Sequence, residues 1–184
     1  ALLVGNWTYP DDAANLPPLN GPHNDVSQLM QALTDPDVGL FRPINVRQLT
    51  ERSSVEITNG LQGLFQEATK DDVLLVYYSG HGFTNDRGEL LLCGRNSRTD
   101  QWRGTAVRAR DIKEMIEECP AAAVAVVLDC CHAGAFKGAG FAEEVAGKGT
   151  FVLSAARPRD RARDAQYATG LSPFTGHLVD GFKG

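Results

Sequence analysis

Two short stretches hold the most reactive combination of side chains in this 184-residue sequence: Ser79-Gly80-His81-Gly82 and Asp129-Cys130-Cys131-His132-Ala133-Gly134, with Cys131 50 positions after His81. A thiol attacks a carbonyl as the thiolate, so it needs a neighbour that takes its proton. Imidazole titrates near neutral pH and suits that task. It can then return the proton to a leaving amine, which an amide requires before it departs. Cys131 as nucleophile and His81 as its proton-transfer partner would therefore perform acyl transfer on a peptide bond. Gly82 allows a substrate backbone to come close to His81, and the backbone N–H groups of Gly82 and Cys131 are candidate donors to a developing oxyanion. All of this requires the two stretches to be neighbours in space.

The flanking elements make that arrangement reasonable. Apolar runs at Ala1 to Val4, Val73 to Tyr78, Val124 to Leu128 and Thr150 to Leu153 predict buried strands, with a fifth, weaker one at Ile44 to Leu49. Between them, helical spacing links Val26, Leu29, Met30 and Leu33, then Ile57, Leu61, Leu64 and Phe65, then Ile112, Met115 and Ile116. Continuous apolar strands alternating with helices predict an α/β fold with a mostly parallel central sheet, flanked by helices on both faces. Sites in such sheets gather at the carboxyl ends of strands. Both reactive stretches directly follow a predicted strand. Phe83 to Arg110 reads as a long loop, with Leu90-Leu91-Leu92 able to form a small hairpin within it.

Composition narrows the class. Hydrophobic residues make up 42% and charged residues 22%, as in an ordinary globular protein, and the length suits one domain spanning 1–184. A formal net charge of −5 argues against nucleic acid as a partner, and no apolar run approaches the roughly 20 residues of a membrane span. Four cysteines, two of them adjacent, suggest no disulfide framework and fit a reducing cytoplasm. The chain starts on a strand and stops after a helix-like segment, as a fragment of a longer protein would.

The sequence resembles the caspase-like cysteine peptidases, and within them the metacaspase and bacterial orthocaspase branch. The resemblance rests on Tyr77-Tyr78-Ser79-Gly80-His81-Gly82 and Leu128-Asp129-Cys130-Cys131-His132-Ala133-Gly134, and on their spacing. It extends to the opening Ala1-Leu2-Leu3-Val4-Gly5-Asn6, to Leu19-Asn20-Gly21-Pro22-His23-Asn24-Asp25, and to Ser154-Ala155-Ala156. It implies a caspase-like fold, here without the C-terminal part, and a protein or peptide substrate cut through an acyl-enzyme at a Cys-His dyad. It further implies that Asp129, Asp25 and Ser79 line a substrate-binding pocket for a basic side chain before the cut, with Pro22 replacing a cysteine found there in some members. Two carboxylates would favour Arg, with Lys second, and repel Asp. No cofactor is implied. Some metacaspases need calcium, but no calcium-loop pattern is evident here. A regulatory domain or activator in the parent protein is a further expected partner.

Other readings stand beside these. Asp25 could cap a helix beginning at Val26, and Asp129 could fix the cysteine loop by accepting backbone hydrogen bonds. Cys130, if its strand continues, points away from Cys131. Cys93 and Cys119 read as buried filler, and His23 and His177 as ordinary hydrogen-bonded residues. Zinc bound by Cys130, Cys131, His132 and His81 would require three adjacent residues to face one ion. A non-catalytic caspase-like module that binds partners is a rival from another class. The basic run Arg157, Arg159, Arg161 and Arg163 is either a solvated loop or a cover over the acidic pocket.

Overall fold

A computed structural model of the chain describes residues 1–131, 149–155, 164–167 and 169–183. Its centre is a parallel sheet of five strands: β1 (Leu2–Gly5), β2 (Arg47–Thr50), β3 (Val73–Ser79), β7 (Ala123–Asp129) and β8 (Thr150–Ser154), in the spatial order β2-β1-β3-β7-β8. Alternate residues of each strand go to opposite faces. Leu2, Val4, Val76, Tyr78, Val126 and Leu128 share one apolar cluster with Ile57, Leu61, Ile112 and Ile116 of helices α2 (Ser54–Gln66) and α4 (Ala109–Glu118). Leu3, Tyr77 and Val127 face the other way, onto Val26, Leu29 and Val179 of α1 (Gly21–Leu33) and α5 (Pro173–Lys183). Burial on both faces explains why β1, β3 and β7 read as unbroken apolar runs, and the predicted α/β architecture is the one observed. The strand at Thr150 to Leu153 is present but not buried as expected, since it pairs only with β7 and leaves Phe151 67% and Leu153 48% exposed.

Local chemistry sets the helix starts. Ser53 and Glu56 form a reciprocal capping box at α2. Ser172 precedes Pro173 at the start of α5, and its hydroxyl accepts from the Thr175 N–H at 3.4 Å. Helix α1 begins at Gly21, with Pro22 in its first turn, so Asp25 lies inside the helix and is not its cap. Its position continues the buried stripe of Val26, Leu29 and Leu33 by one turn, which is why a carboxylate comes to be fully buried there.

Two expectations need correction. The fifth strand covers Arg47–Thr50 and not Ile44 to Leu49: Pro43–Asn45 forms a 3-10 turn, and Ile44 is 81% exposed. Pro43 lacks the N–H a ladder needs, and pairing starts only where Arg47 meets Leu2. The segment from Phe83 to Arg110 is no loop either. It contains a three-stranded antiparallel sheet of β4 (Gly82–Thr84), β5 (Leu90–Cys93) and β6 (Ala106–Arg108), the four-residue helix α3 (Trp102–Thr105), and the start of α4. The hairpin around Leu90-Leu91-Leu92 is present as β4–β5. Strands of three residues show no alternation in sequence; cross-strand pairing creates them.

At the carboxyl end of β3 the chain is tightly packed. A Cβ on Gly80 would sit 2.7 Å from the Tyr78 hydroxyl oxygen and 2.9 Å from that of Tyr9. We expect Gly80→Ala to lower stability by about 1–3 kcal/mol, measured by urea unfolding, since two buried phenols must shift to admit one methyl group.

Candidate active site

Strands β3 and β7 are paired in register, Ser79 opposite Asp129, so the two reactive stretches emerge side by side. The Gly80 N–H donates to the Asp129 carbonyl at 3.3 Å. Two residues further on, a Cβ on Gly82 would meet the Cys131 carbonyl oxygen at 2.8 Å and Cys130 Sγ at 3.0 Å, so only glycine permits this approach. His81, Cys131, Asp25, Ser79 and Asp129 all line one cleft of about 200 Å³, together with Asp164 and Ser172. The spatial adjacency that the chemistry requires is therefore present.

The two neighbouring cysteines differ sharply. Cys130 is 1% exposed and belongs to the apolar core, where burial pushes its thiol pKa well above the usual range. Cys131 is only partly buried. A thiol whose ionisation is opposed by burial is a poor nucleophile. Among the described residues no group of three or more potential ligands could hold a metal ion. His132 and the basic run Arg157 to Arg163 lie outside the described residues.

His81 is held on several sides. Its ring Nε2 is 2.7 Å from the Pro17 carbonyl oxygen, which can only accept, so Nε2 carries the proton and Nδ1 is left as the basic nitrogen. Its main-chain N–H donates to the Tyr9 hydroxyl at 2.9 Å. Burial lowers the imidazole pKa, opposed by the Pro17 hydrogen bond and the charge of Asp164. A neutral imidazole at neutral pH is thereby favoured, the form that can accept a proton.

The acidic side of the cleft is built from three elements. Asp25 accepts from the Ser79 hydroxyl at 2.8 Å and from the Ser172 N–H at 2.9 Å, and burial raises its pKa despite those bonds. Asp129 accepts from the Ser172 hydroxyl and, at 2.6 Å, from the Thr175 hydroxyl. Burial outweighs both and raises its pKa to about 6. Asp164 accepts from the main-chain N–H groups of Asn20 and Gly21, each at 2.8 Å, where α1 begins. Three carboxylates therefore line one cleft, and among the described residues its only lining group that can become a cation is the His81 imidazole.

Ser172, Thr175, Tyr9, Pro17 and Asp164 carry no signal in the sequence that marks them as site residues. Ser172-Pro173 was a readable cue for a helix start. Nothing local indicated that this helix would point at Asp129. His23 packs edge-on against Trp7, with ring centroids 5.1 Å apart, and His177 is exposed on α5.

A parallel sheet between two helical layers, with thiol and imidazole converging at the carboxyl ends of adjacent strands, is the architecture of a caspase-like fold. The family model described as "Caspase domain" matches residues 1–184, and the chain belongs to that family. It is 26% identical over 198 aligned residues to Metacaspase-4 of Arabidopsis thaliana, covering 98% of this chain but 43% of the plant protein's length. Among solved structures it is similar to protein GSU0716 from Geobacter sulfurreducens, with a TM-score of 0.71 and 16% identity over 99% of this chain and 80% of that one. That likeness concerns the fold alone. No helix among the described residues is long and apolar enough to cross a membrane.

Proposed function

We propose that the chain is a cysteine endopeptidase that cleaves proteins after Arg, with Lys second, through Cys131 and His81. The observation that carries this reading is the single cleft in which a partly exposed Cys131 and His81 lie beside the buried carboxylates of Asp25 and Asp129 and the part-exposed one of Asp164. In the first step the Cys131 thiol gives its proton to His81 Nδ1, and the sulfur attacks the scissile carbonyl carbon. The N–H groups of Gly82 and Cys131 are the assigned donors to the resulting oxyanion. His81 passes the proton to the leaving amine, the C–N bond breaks, and a thioester remains on Cys131. Water then donates a proton to His81 and attacks the thioester; collapse releases the acid and returns the proton to sulfur.

Specificity follows from the acidic wall. An arginine side chain supplies the counter-charge that burial denies Asp129, and its planar fork can bind carboxylates in pairs, where lysine offers a point charge. A panel of peptides differing only in the residue before the cut tests this reading. We expect Arg first, Lys at about a tenth of its kcat/KM or less, and Asp not turned over. Preferred cutting after Asp refutes the acidic-pocket assignment. No cleavage of any peptide, with or without calcium, would favour the non-catalytic module instead.

A further inference from the structure

We propose that Tyr9 is a positioning residue for the Cys131–His81 dyad, fixing His81 through its main chain while Tyr9's own loop holds the imidazole ring. This rests on the peptidase reading above. The loop between β1 and α1 reaches His81 at three points. The Tyr9 hydroxyl accepts from the His81 N–H at 2.9 Å, the Tyr9 ring lies against the imidazole with centroids 4.9 Å apart at 53°, and the Pro17 carbonyl takes the Nε2 proton at 2.7 Å. Tyr9 is itself fixed: it is 1% exposed, and its hydroxyl donates to the Asn6 carbonyl at 2.8 Å.

The loop is clamped from outside. Glu51 adopts a left-handed backbone conformation, with φ of 54°, that is unfavourable for a side chain of its type. In that conformation one carboxylate oxygen accepts from the N–H groups of Trp7 at 2.7 Å and Thr8 at 3.0 Å, and the other from the Thr8 hydroxyl. Asp12 ties the following turn to Thr99, accepting from its N–H at 2.7 Å and its hydroxyl at 2.6 Å. A loop anchored at both shoulders can set the position of what it touches.

The two phenols near His81 are not equivalent. The Tyr78 hydroxyl lies 2.8 Å from the His81 carbonyl, but the Cys93 N–H also donates to that oxygen at 3.0 Å. The His81 N–H, by contrast, is directed at Tyr9. Removing the Tyr9 hydroxyl leaves a part-buried donor unpaired at the residue whose ring must meet the thiol, and displacement of a reacting group by a fraction of an ångström slows chemistry more than binding. Tyr9→Phe keeps the ring contact and deletes only the hydroxyl.

The test uses the full chain and two readouts: kcat and KM on an Arg peptide, and the pH dependence of Cys131 alkylation by iodoacetamide, which needs no peptidase turnover. For Tyr9→Phe we expect kcat to fall about tenfold with KM within about twofold, and the alkylation profile to move to higher pH. Tyr78→Phe should leave both readouts within about twofold. Unchanged kcat and alkylation in Tyr9→Phe, or equal losses in the two phenol variants, overturn the proposal. If Tyr9→Phe does not fold, Glu51→Gly releases the clamp while relieving the left-handed backbone; the proposal then requires the same kcat-selective loss and falls if kcat is unchanged. His81→Ala separates the two levels of inference: if it leaves the alkylation profile unmoved, the dyad itself fails, whereas a shift with His81→Ala but none with Tyr9→Phe overturns only the role of Tyr9.

Discussion

Cys131→Ala should abolish cleavage of Arg peptides, a loss of about 10⁴-fold or more, while Cys130→Ala stays within about threefold of the parent. The contrast is large because the two thiols, though adjacent, occupy different media. Cys130 Sγ is packed in the apolar core, where forming a thiolate costs its full desolvation. Both cysteines border the cleft that His81 lines, but only Cys131 is part-exposed there. Cys130→Ala instead removes a buried sulfur and should lower stability by about 1 kcal/mol, visible in thermal unfolding and not in kcat per folded molecule. The reverse pattern, with activity lost only in Cys130→Ala, would overturn the assignment of the nucleophile.

Asp129→Asn is expected to cut kcat/KM for Arg peptides by about 10²-fold and, at pH 8, to make the protein more stable. Both effects have one origin. Asp129 has a folded-state pKa of about 6, raised above its ordinary value by burial. A carboxyl raised on folding contributes stability that is present below pH ~4 and is lost as pH rises through ~6. Above that range the folded protein holds a buried, underpaired carboxylate at a cost of about 3 kcal/mol, which the amide does not incur. Urea unfolding across pH 4–8 should show the variant's advantage growing with pH. The KM of the parent for Arg peptides should also rise as pH falls through about 6, because the protonated carboxyl no longer attracts a guanidinium, and that dependence should be weaker in the variant, where Asp25 remains to titrate. An advantage over the parent no larger at pH 8 than at pH 4 would contradict the burial cost placed on Asp129.

The sheet, and the placement of His81 and Cys131 at adjacent strand ends, were legible because each has a local signature. Leu74 to Tyr78 and Val124 to Leu128 pack apolar side chains on both faces and read as strands without ambiguity, and the motifs begin where those strands stop. Asp25 was legible through family resemblance, but its helix start was misread: Asn24 and Asp25 are good capping types, and the earlier start at Gly21 depends on Pro22, which fits a first turn. Strands β4 and β6 were invisible because three-residue strands exist only as partners of β5. The supporting groups around the site were hidden for a related reason. Tyr9 meets His81 across 72 positions of sequence, and Thr175 meets Asp129 across 46. No periodicity encodes such meetings; tertiary packing makes them.

Distance along the chain also has a consequence in time. Asp164 binds the amides of Asn20 and Gly21, and Ser172 binds Asp25, across 143 to 147 positions. A nascent chain that has emerged as far as Cys131 already contains the nucleophile, the imidazole and the loop that holds it. Its two innermost carboxylates still await the Ser172 and Thr175 groups that will hold them. Long-range contacts of this kind close late in folding. The sulfur is thus synthesised before the groups that hold Asp25 and Asp129 in place, and during vectorial synthesis the acidic wall is completed only after α5 has docked.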